Sequence, residues 1–227
     1  MSSTKLTLLT LNIQNYHNFD ERKPKIVALI KKYNPDIASF QEIRDDRSKN
    51  ESGMNQLQQL TSELKFPYSA FLATMDINKV KNITGKPMCH EGLALCSKFP
   101  FLTEEITLKK HPEDRHTRKV LVGQITLGHR PQAIFVVHFS PDNLFAQLHA
   151  EESLNYAKKI QPIIIGDFNM RSKEAQQLAE KNNYNSSTQF QYNSYPADNC
   201  SYDYIFIPKQ FSFLKFECIE ETVSDHS

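Results

Sequence analysis

Six times along this chain a β-type run meets a carboxylate, a carboxamide or an imidazole at its end, and this pattern constrains the fold more than any other feature. TLLTLN closes on Asn12, DIASFQE on Gln41 and Glu42, AIFVVH on His138, and PIIIGDFN on Asp167 and Asn169. Asp203 opens DYIFI, and Asp225 and His226 follow the last expected strand. A run such as residues 163–165, all isoleucine, belongs in a buried strand, so its polar end marks the place where a buried sheet reaches its rim.

The remaining elements follow from periodicity and turn signals. Residues 5–13 alternate as a first strand. Asp20 followed by Pro24 predicts an N-cap region and an early-turn proline for a helix through Tyr33, with Ile26, Val27, Leu29 and Ile30 as its apolar stripe. Asn34-Pro35 stops that helix, residues 36–40 form a short strand, and residues 52–64 form a second helix carrying Met54, Leu57, Leu60 and Leu64. Residues 68–75, 92–97, 103–108, 118–127 and 132–139 read as strands, separated by Pro87, Pro100, Pro112, Gly128 and Pro131. Helices at 144–159 and 172–181 flank PIII, and strands at 203–207 and 211–219 lead to the terminus. The middle of the chain supplies hairpins rather than crossovers. The expected fold class is therefore α/β, a four-layer α/β sandwich with two mainly antiparallel sheets packed face to face and helices outside. Without a repeat or a Gly/Ser linker, the 227 residues read as a single domain spanning 1–227.

A formal net charge of +1 creates no global field toward nucleic acid or anionic membrane, so any polyanion must be held locally. The grouping Lys109, Lys110, His111, Arg115, His116, Arg118 and Lys119 could line a groove or form a solvated loop. No run approaches the ~20 apolar residues of a membrane span, and the apolar stretch 6–11 is shorter than a secretory core. The protein is expected to be no integral membrane protein and cytoplasmic by default, with export by a signal-less route left open. Cys89, Cys96, Cys200 and Cys218 lack C-x-x-C spacing and read as buried free thiols rather than zinc ligands.

Singly, each polar strand end has a plain explanation. Asn12 could form a turn, Glu42 could lie on the surface, His138 could be a satisfied core histidine, Asp203 could cap a turn, and Asp225-His226 could be a solvated tail. Their joint occurrence points to chemistry. Oxygen donors without thiolates suit a hard cation such as Mg²⁺ or Mn²⁺, and Glu42, Asn12, Asp225 and Asp167 could supply its shell. Two histidines with carboxylates to orient them, Asp203 and Glu91, are what acid and base catalysis requires. Metal, base and acid together suggest phosphate-ester hydrolysis.

With these residues assembled, the sequence resembles the endonuclease/exonuclease/phosphatase superfamily, the deoxyribonuclease-I-like metal-dependent phosphohydrolases. The resemblance runs through LTLNIQ (9–14), PDIASFQEI (35–43), EGLALCSKFP (91–100), FVVHFS (135–140), IIIGDFNMR (163–171), YDYIFIP (202–208) and SDHS (224–227). It implies Glu42 as principal metal ligand, with Asn12 and Asp225 completing the site and Gln41 in support. Asp167 and Asn169 would orient the attacking water and bind the scissile phosphate. His226 paired with Asp203 would be the general base, and His138, with Glu91 as its partner, would assist the leaving oxygen or stabilise charge on the phosphate. Arg118 falls where many members place a phosphate-binding arginine. Members usually continue for another strand beyond Ser-Asp-His, which this chain, ending at Ser227, is expected to lack. Gln14, where abasic-site nucleases often carry a carboxylate, argues against that branch, as does His138.

The expected function is a divalent-metal-dependent phosphodiesterase with a phosphoester substrate, foremost an endo- or exonuclease on DNA or RNA. A phosphatase or phospholipase acting on a phosphoinositide, sphingomyelin or a small phosphoester is the alternative, though the loop 76–90 is too polar to favour a lipid surface. A non-catalytic binding module on the same fold is the alternative of another class.

Overall fold

The structure, a computed structural model, describes residues 5–49, 53–127, 130–221 and 223–226. The first sheet contains β1 (Leu8–Asn12), β2 (Ile37–Asp46), β3 (Tyr68–Asp76) and β4 (Cys89–Ser97), in the order β1-β2-β4-β3. The second contains β5 (Phe101–Thr107), β6 (Lys119–Leu127), β7 (Arg130–His138), β8 (Ile163–Asp167), β9 (Tyr184–Ser186) and β10 (Asp203–Pro208), in the order β5-β6-β7-β8-β10-β9. Among the described residues, only β1–β2 and β7–β8 pair in parallel. Each parallel pair is joined by a helical crossover, as parallel neighbours require. These are α1 (Phe19–Tyr33) and α4 (Asn143–Ala157).

Three apolar layers hold the stack together. The inner faces meet where Ile37, Leu93 and Leu95 pack against Leu121, Ile125, Ile134, Val136, Ile163 and Ile165. The outer face of the first sheet buries Leu9, Leu11 and Phe40 against the α1 stripe and against Leu57 and Leu60 of α2 (Gln56–Thr61). The outer face of the second buries Phe135, Val137 and Ile164 against α4 and α5 (Ser172–Lys181). Residues 163–165 are wholly apolar because β8 is covered on both faces, with Ile164 outward and its neighbours inward. The result is the expected four-layer α/β sandwich.

Gly166 has a role beyond ending the run. Its φ is 146°, and a Cβ there would lie 2.1 Å from the Val137 carbonyl oxygen, so β7 and β8 approach closely only because this residue has no side chain.

Several local expectations are corrected. Helix α1 begins at Phe19 after Asn18, which sits in the left-handed region without a side-chain cap; Asp20 lies in the first turn and Pro24 lies inside the helix. Helix α2 is confined to Gln56–Thr61 by a capping box between Asn55 and Gln58, which leaves Met54 ahead of it; residue 52 lies outside the described residues, as do Gly128 and Ser227. Strand β2 continues six residues beyond the expected end at Phe40, to Asp46. Residues 211–219 form no strand. Phe213 and Phe216 instead pack against Phe190, and Phe216 against Tyr192, so ring contacts replace a ladder there. The short helix α3 (Ile77–Val80) and strand β9 carried no sequence signal. Cys89 and Cys96 are buried free thiols, and burial pushes Cys96 up to about 12; Cys200 and Cys218 are only partly buried.

Candidate active site

Strand register assembles the site. In the second sheet, parallel pairing sets His138 beside Asp167, and antiparallel pairing sets Asp203 on its other side. In the first, Asn12 lies beside Gln41. Asn12 joins the two rims, its Nδ2 donating to Asp167 Oδ2 at 3.1 Å and to Glu42 Oε1 at 3.2 Å. Its Oδ1 accepts from the Gln14 amide, so in this arrangement Asn12 faces the carboxylates with its nitrogen rather than with a ligating oxygen. Gln41 is fully buried, accepting from the Thr10 hydroxyl and donating to Ser39, which makes it a support for the rim.

Glu42 owes its position to a break in the ladder. The β2–β4 register shifts between Phe40 and Ile43, and Glu42 takes φ 56°. A bulge with a left-handed residue re-aims a side chain, and a glutamate held in this region is strained. Its second oxygen accepts from Asn15 Nδ2 at 3.1 Å, a contact no sequence signal announced because Asn15 reads as a turn residue. Burial pushes the Glu42 carboxyl up from its ordinary range, and the charges of Glu91 and Asp225 push it further. An all-oxygen set of crowded anions fits a hard divalent cation. The compact group whose ligand atoms lie within 4.8 Å of one another is instead Asp167, Asp203 and His226. There Asp203 Oδ2 is already bound to His226 Nδ1 at 2.8 Å, so that group reads first as an acid–base pair beside a carboxylate.

Asp203 Oδ2 also accepts from the Ser194 hydroxyl at 2.7 Å. Both histidines aim at one atom: His138 Nε2 lies 3.6 Å and His226 Nε2 3.9 Å from Asp167 Oδ2. Burial and then the Asp203 charge lift Asp167 to about 7, against the opposing pull of His226. Burial opposes the charged form of His226, but the charge and hydrogen bond of Asp203 outweigh it and raise His226 to about 9. His138 goes the other way, held neutral by burial and by Arg118. Asn169, with φ 51°, donates its backbone N–H to Asp167 Oδ1 and its Nδ2 to the Phe139 carbonyl.

Arg118 lies one residue before β6, is 4% exposed, and feels Glu91, Asp167, Asp114 and Glu42. Its Nε has no hydrogen-bond partner among the described residues. Glu91 is not the partner of His138. It forms a salt bridge with Arg44 at 2.8 Å, because β2 and β4 place the two directly opposite each other. Asp225 is partly buried and accepts from Ser224, whose hydroxyl also donates to the Asn12 carbonyl at 2.6 Å and so ties the terminal segment to β1.

The basic stretch 109–119 is tied to the protein by polar contacts, while Lys109, Lys110 and Arg115 stay exposed. Asp114 Oδ1 accepts from the His116 amide and from Ser140, and the Asp114 carbonyl accepts from Lys110. Lys119 pairs with Glu105. Beneath this loop, His149 is 1% exposed among Asp114, His111 and Phe139. Burial, with help from Arg118 and His111 and against the pull of Asp114, brings His149 down from 6.5 to about 4. The unfolded chain therefore takes up a proton that the folded chain refuses. Stability from this residue is intact above the unfolded pKa and falls as pH drops toward the folded one, by about 2 kcal/mol at pH 5. Between pH 7.5 and pH 5 the wild type should lose about 2 kcal/mol more urea stability than His149→Gln, in which the other buried groups respond alike. An equal pH slope in both proteins would exclude His149 as its source.

The family model of the endonuclease/exonuclease/phosphatase family matches residues 9–226, and the chain belongs to that family. No curated protein matches at the level of sequence. Among solved structures, an endonuclease/exonuclease/phosphatase from Beutenbergia cavernae is similar at 16% identity and TM-score 0.74, covering 97% of this chain and 69% of its own. D. rerio TDP2 complexed with a single-strand DNA product is similar at 16% identity and TM-score 0.65, with 99% and 96% covered. The mannosyl-6-phosphatase of Bacteroides thetaiotaomicron is similar at 16% identity and TM-score 0.66, with 98% and 97% covered. At such identity the likeness is one of fold, here the deoxyribonuclease-I-like sandwich. The family makes the chain a phosphoric ester hydrolase. Among the described residues no helix is long and apolar enough to cross a membrane.

Proposed function

We propose that the protein is a divalent-cation-dependent phosphodiesterase acting on nucleic acid. The observation that carries this reading is the convergence of the Asp203–His226 pair and His138 on Asp167, across from Glu42 and beside the buried Arg118. Glu42, Asp225, Asp167 and Asn12 would hold the cation, with Asn12 having to turn its oxygen inward. A bound Mg²⁺, or Mn²⁺ in its place, would supply charge for the non-bridging oxygens and would disfavour the proton that the carboxylates hold on His226.

In this reading Asp203 fixes the imidazole through Nδ1, and His226 Nε2 takes the proton of the attacking water. Asp167 and Asn169 orient that water and the phosphate. Neutral His138 donates a hydrogen bond to the phosphate or the leaving oxygen, and Arg118 pairs with the developing charge. The single-strand DNA product held by the TDP2 structure supports a nucleic-acid substrate, whereas the mannosyl phosphatase shows that the fold also serves monoesters. The test is hydrolysis of bis-p-nitrophenyl phosphate and of the monoester with Mg²⁺ and with EDTA, followed by DNA and RNA. Diester turnover that EDTA removes and Mg²⁺ or Mn²⁺ restores is the expected result. Turnover of the monoester alone would replace the diesterase reading, and no cation-dependent turnover of any substrate would leave a binding module.

A further inference from the structure

We infer that Tyr195 and Tyr202 form a stacking platform for an unpaired nucleobase next to the scissile phosphodiester, which makes single-stranded nucleic acid the preferred substrate class. This rests on the phosphodiesterase reading above. The Tyr195 ring lies 4.9 Å from the His226 ring, at 58° to it, so one side of the base position is aromatic. Tyr202 continues the surface at 5.5 Å from Tyr195, and the exposed Arg171 guanidinium stands 5.5 Å over the Tyr202 ring. Both tyrosines are half-buried.

The platform is built into the site rather than loosely attached. Tyr195 and Cys200 bridge through their backbones in a short hairpin that brings the two rings together. The Tyr202 amide donates to Ser194 Oγ, and that hydroxyl donates to Asp203 Oδ2, so the hairpin is bonded to the same carboxylate that orients His226. Tyr202 Oη donates to Asp198, which fixes the outer ring. The Tyr195 phenol is pushed up by burial and by the charges of Asp225, Asp198, Glu42 and Asp167.

Aromatic faces with an arginine beside them suit a nucleobase, since every base offers a π-face whatever its sequence. An inositol ring or a lipid headgroup offers none. A base inside a duplex has both faces covered by its neighbours and reaches the platform only when unstacked.

The experiment compares a single-stranded deoxythymidine decamer with a decamer of abasic tetrahydrofuran phosphodiesters, both with Mg²⁺. The wild type, Tyr195→Ala, Tyr202→Ala and the two Phe variants are assayed on each. Wild type should show a KM about tenfold lower for the base-bearing strand. That ratio should collapse toward one in the Ala variants and persist in the Phe variants. A platform that merely props His226 would instead lower kcat on both substrates and leave the KM ratio intact, overturning the inference, as would equal KM values in wild type. Failure of the wild type on both substrates would overturn the phosphodiesterase reading itself. Tyr202, whose ring packs on Tyr195, keeps the test open should the Tyr195 change unfold the chain.

Discussion

Asp167→Asn is expected to lower kcat by about 10³-fold while KM stays within a few-fold of wild type. Asp167 Oδ2 is the atom on which Asn12, His138 and His226 converge, while Oδ1 holds the Asn169 amide. An asparagine can keep the Oδ1 contact with the Asn169 N–H. It would place an NH₂ where three nitrogen-bearing groups now meet an oxygen, and it would remove the negative charge that helps hold a proton on His226. The substitution thus alters charge at the site more than shape. Because burial and Asp203 lift Asp167 to about 7, the result also tests which form acts. If the working form were the neutral acid, asparagine would be a close mimic and much of the activity would survive. Retention of more than a tenth of wild-type kcat, with an unchanged thermal melt, would remove the carboxylate from the chemistry.

The parts of this molecule that were legible in the sequence are those governed by short-range periodicity. The alternation of residues 133–137 between the two faces of β7 follows from a period of two, and the wholly apolar 163–165 run follows from burial on both faces of β8. The strand ends could be read for the same reason, because a polar group after a buried run must sit at a rim. What could not be read depended on partners far away in the chain. The pairing of Glu91 with Arg44 is a matter of β2–β4 register, and nothing in EGLALCS distinguishes it from a partner for His138. The φ of 56° at Glu42 arises from a bulge that a Gln-Glu dipeptide does not announce. Residues 211–219 alternated as a strand does, but Phe213 and Phe216 found rings to pack on before a ladder. Tyr195 gained meaning only when the hairpin carried it to His226.

Arg22→Met should destabilise the fold by about 4 kcal/mol, with Arg22→Lys between the variant and wild type. Arg22 is 8% exposed on α1 and offers its whole fork to carbonyl oxygens. Nε donates to His17 at 2.7 Å, Nη1 to Ile13 at 2.8 Å and to Val223 at 2.9 Å, and Nη2 to Gln14 and Asn15 at 3.3 Å and to His17. The loop after β1 carries left-handed residues at Gln14, Asn15 and Asn18, and its carbonyls point inward, where water does not replace a lost donor. Methionine fills similar volume and leaves those oxygens unpaired; a lysine ammonium is a single point of three donors and cannot span them. The same side chain connects folding to the site. Asn15 in this loop holds Glu42, and Val223 begins the segment that carries Asp225 and His226. Loosening the loop should therefore lower kcat in Arg22→Lys at temperatures where that variant is still folded, beyond what its folded fraction explains. Urea unfolding gives the stability and turnover at 15 °C gives the second effect. A change in stability below 1 kcal/mol, or a kcat per folded molecule equal to wild type, would show that the loop and the terminal segment hold their places without the guanidinium.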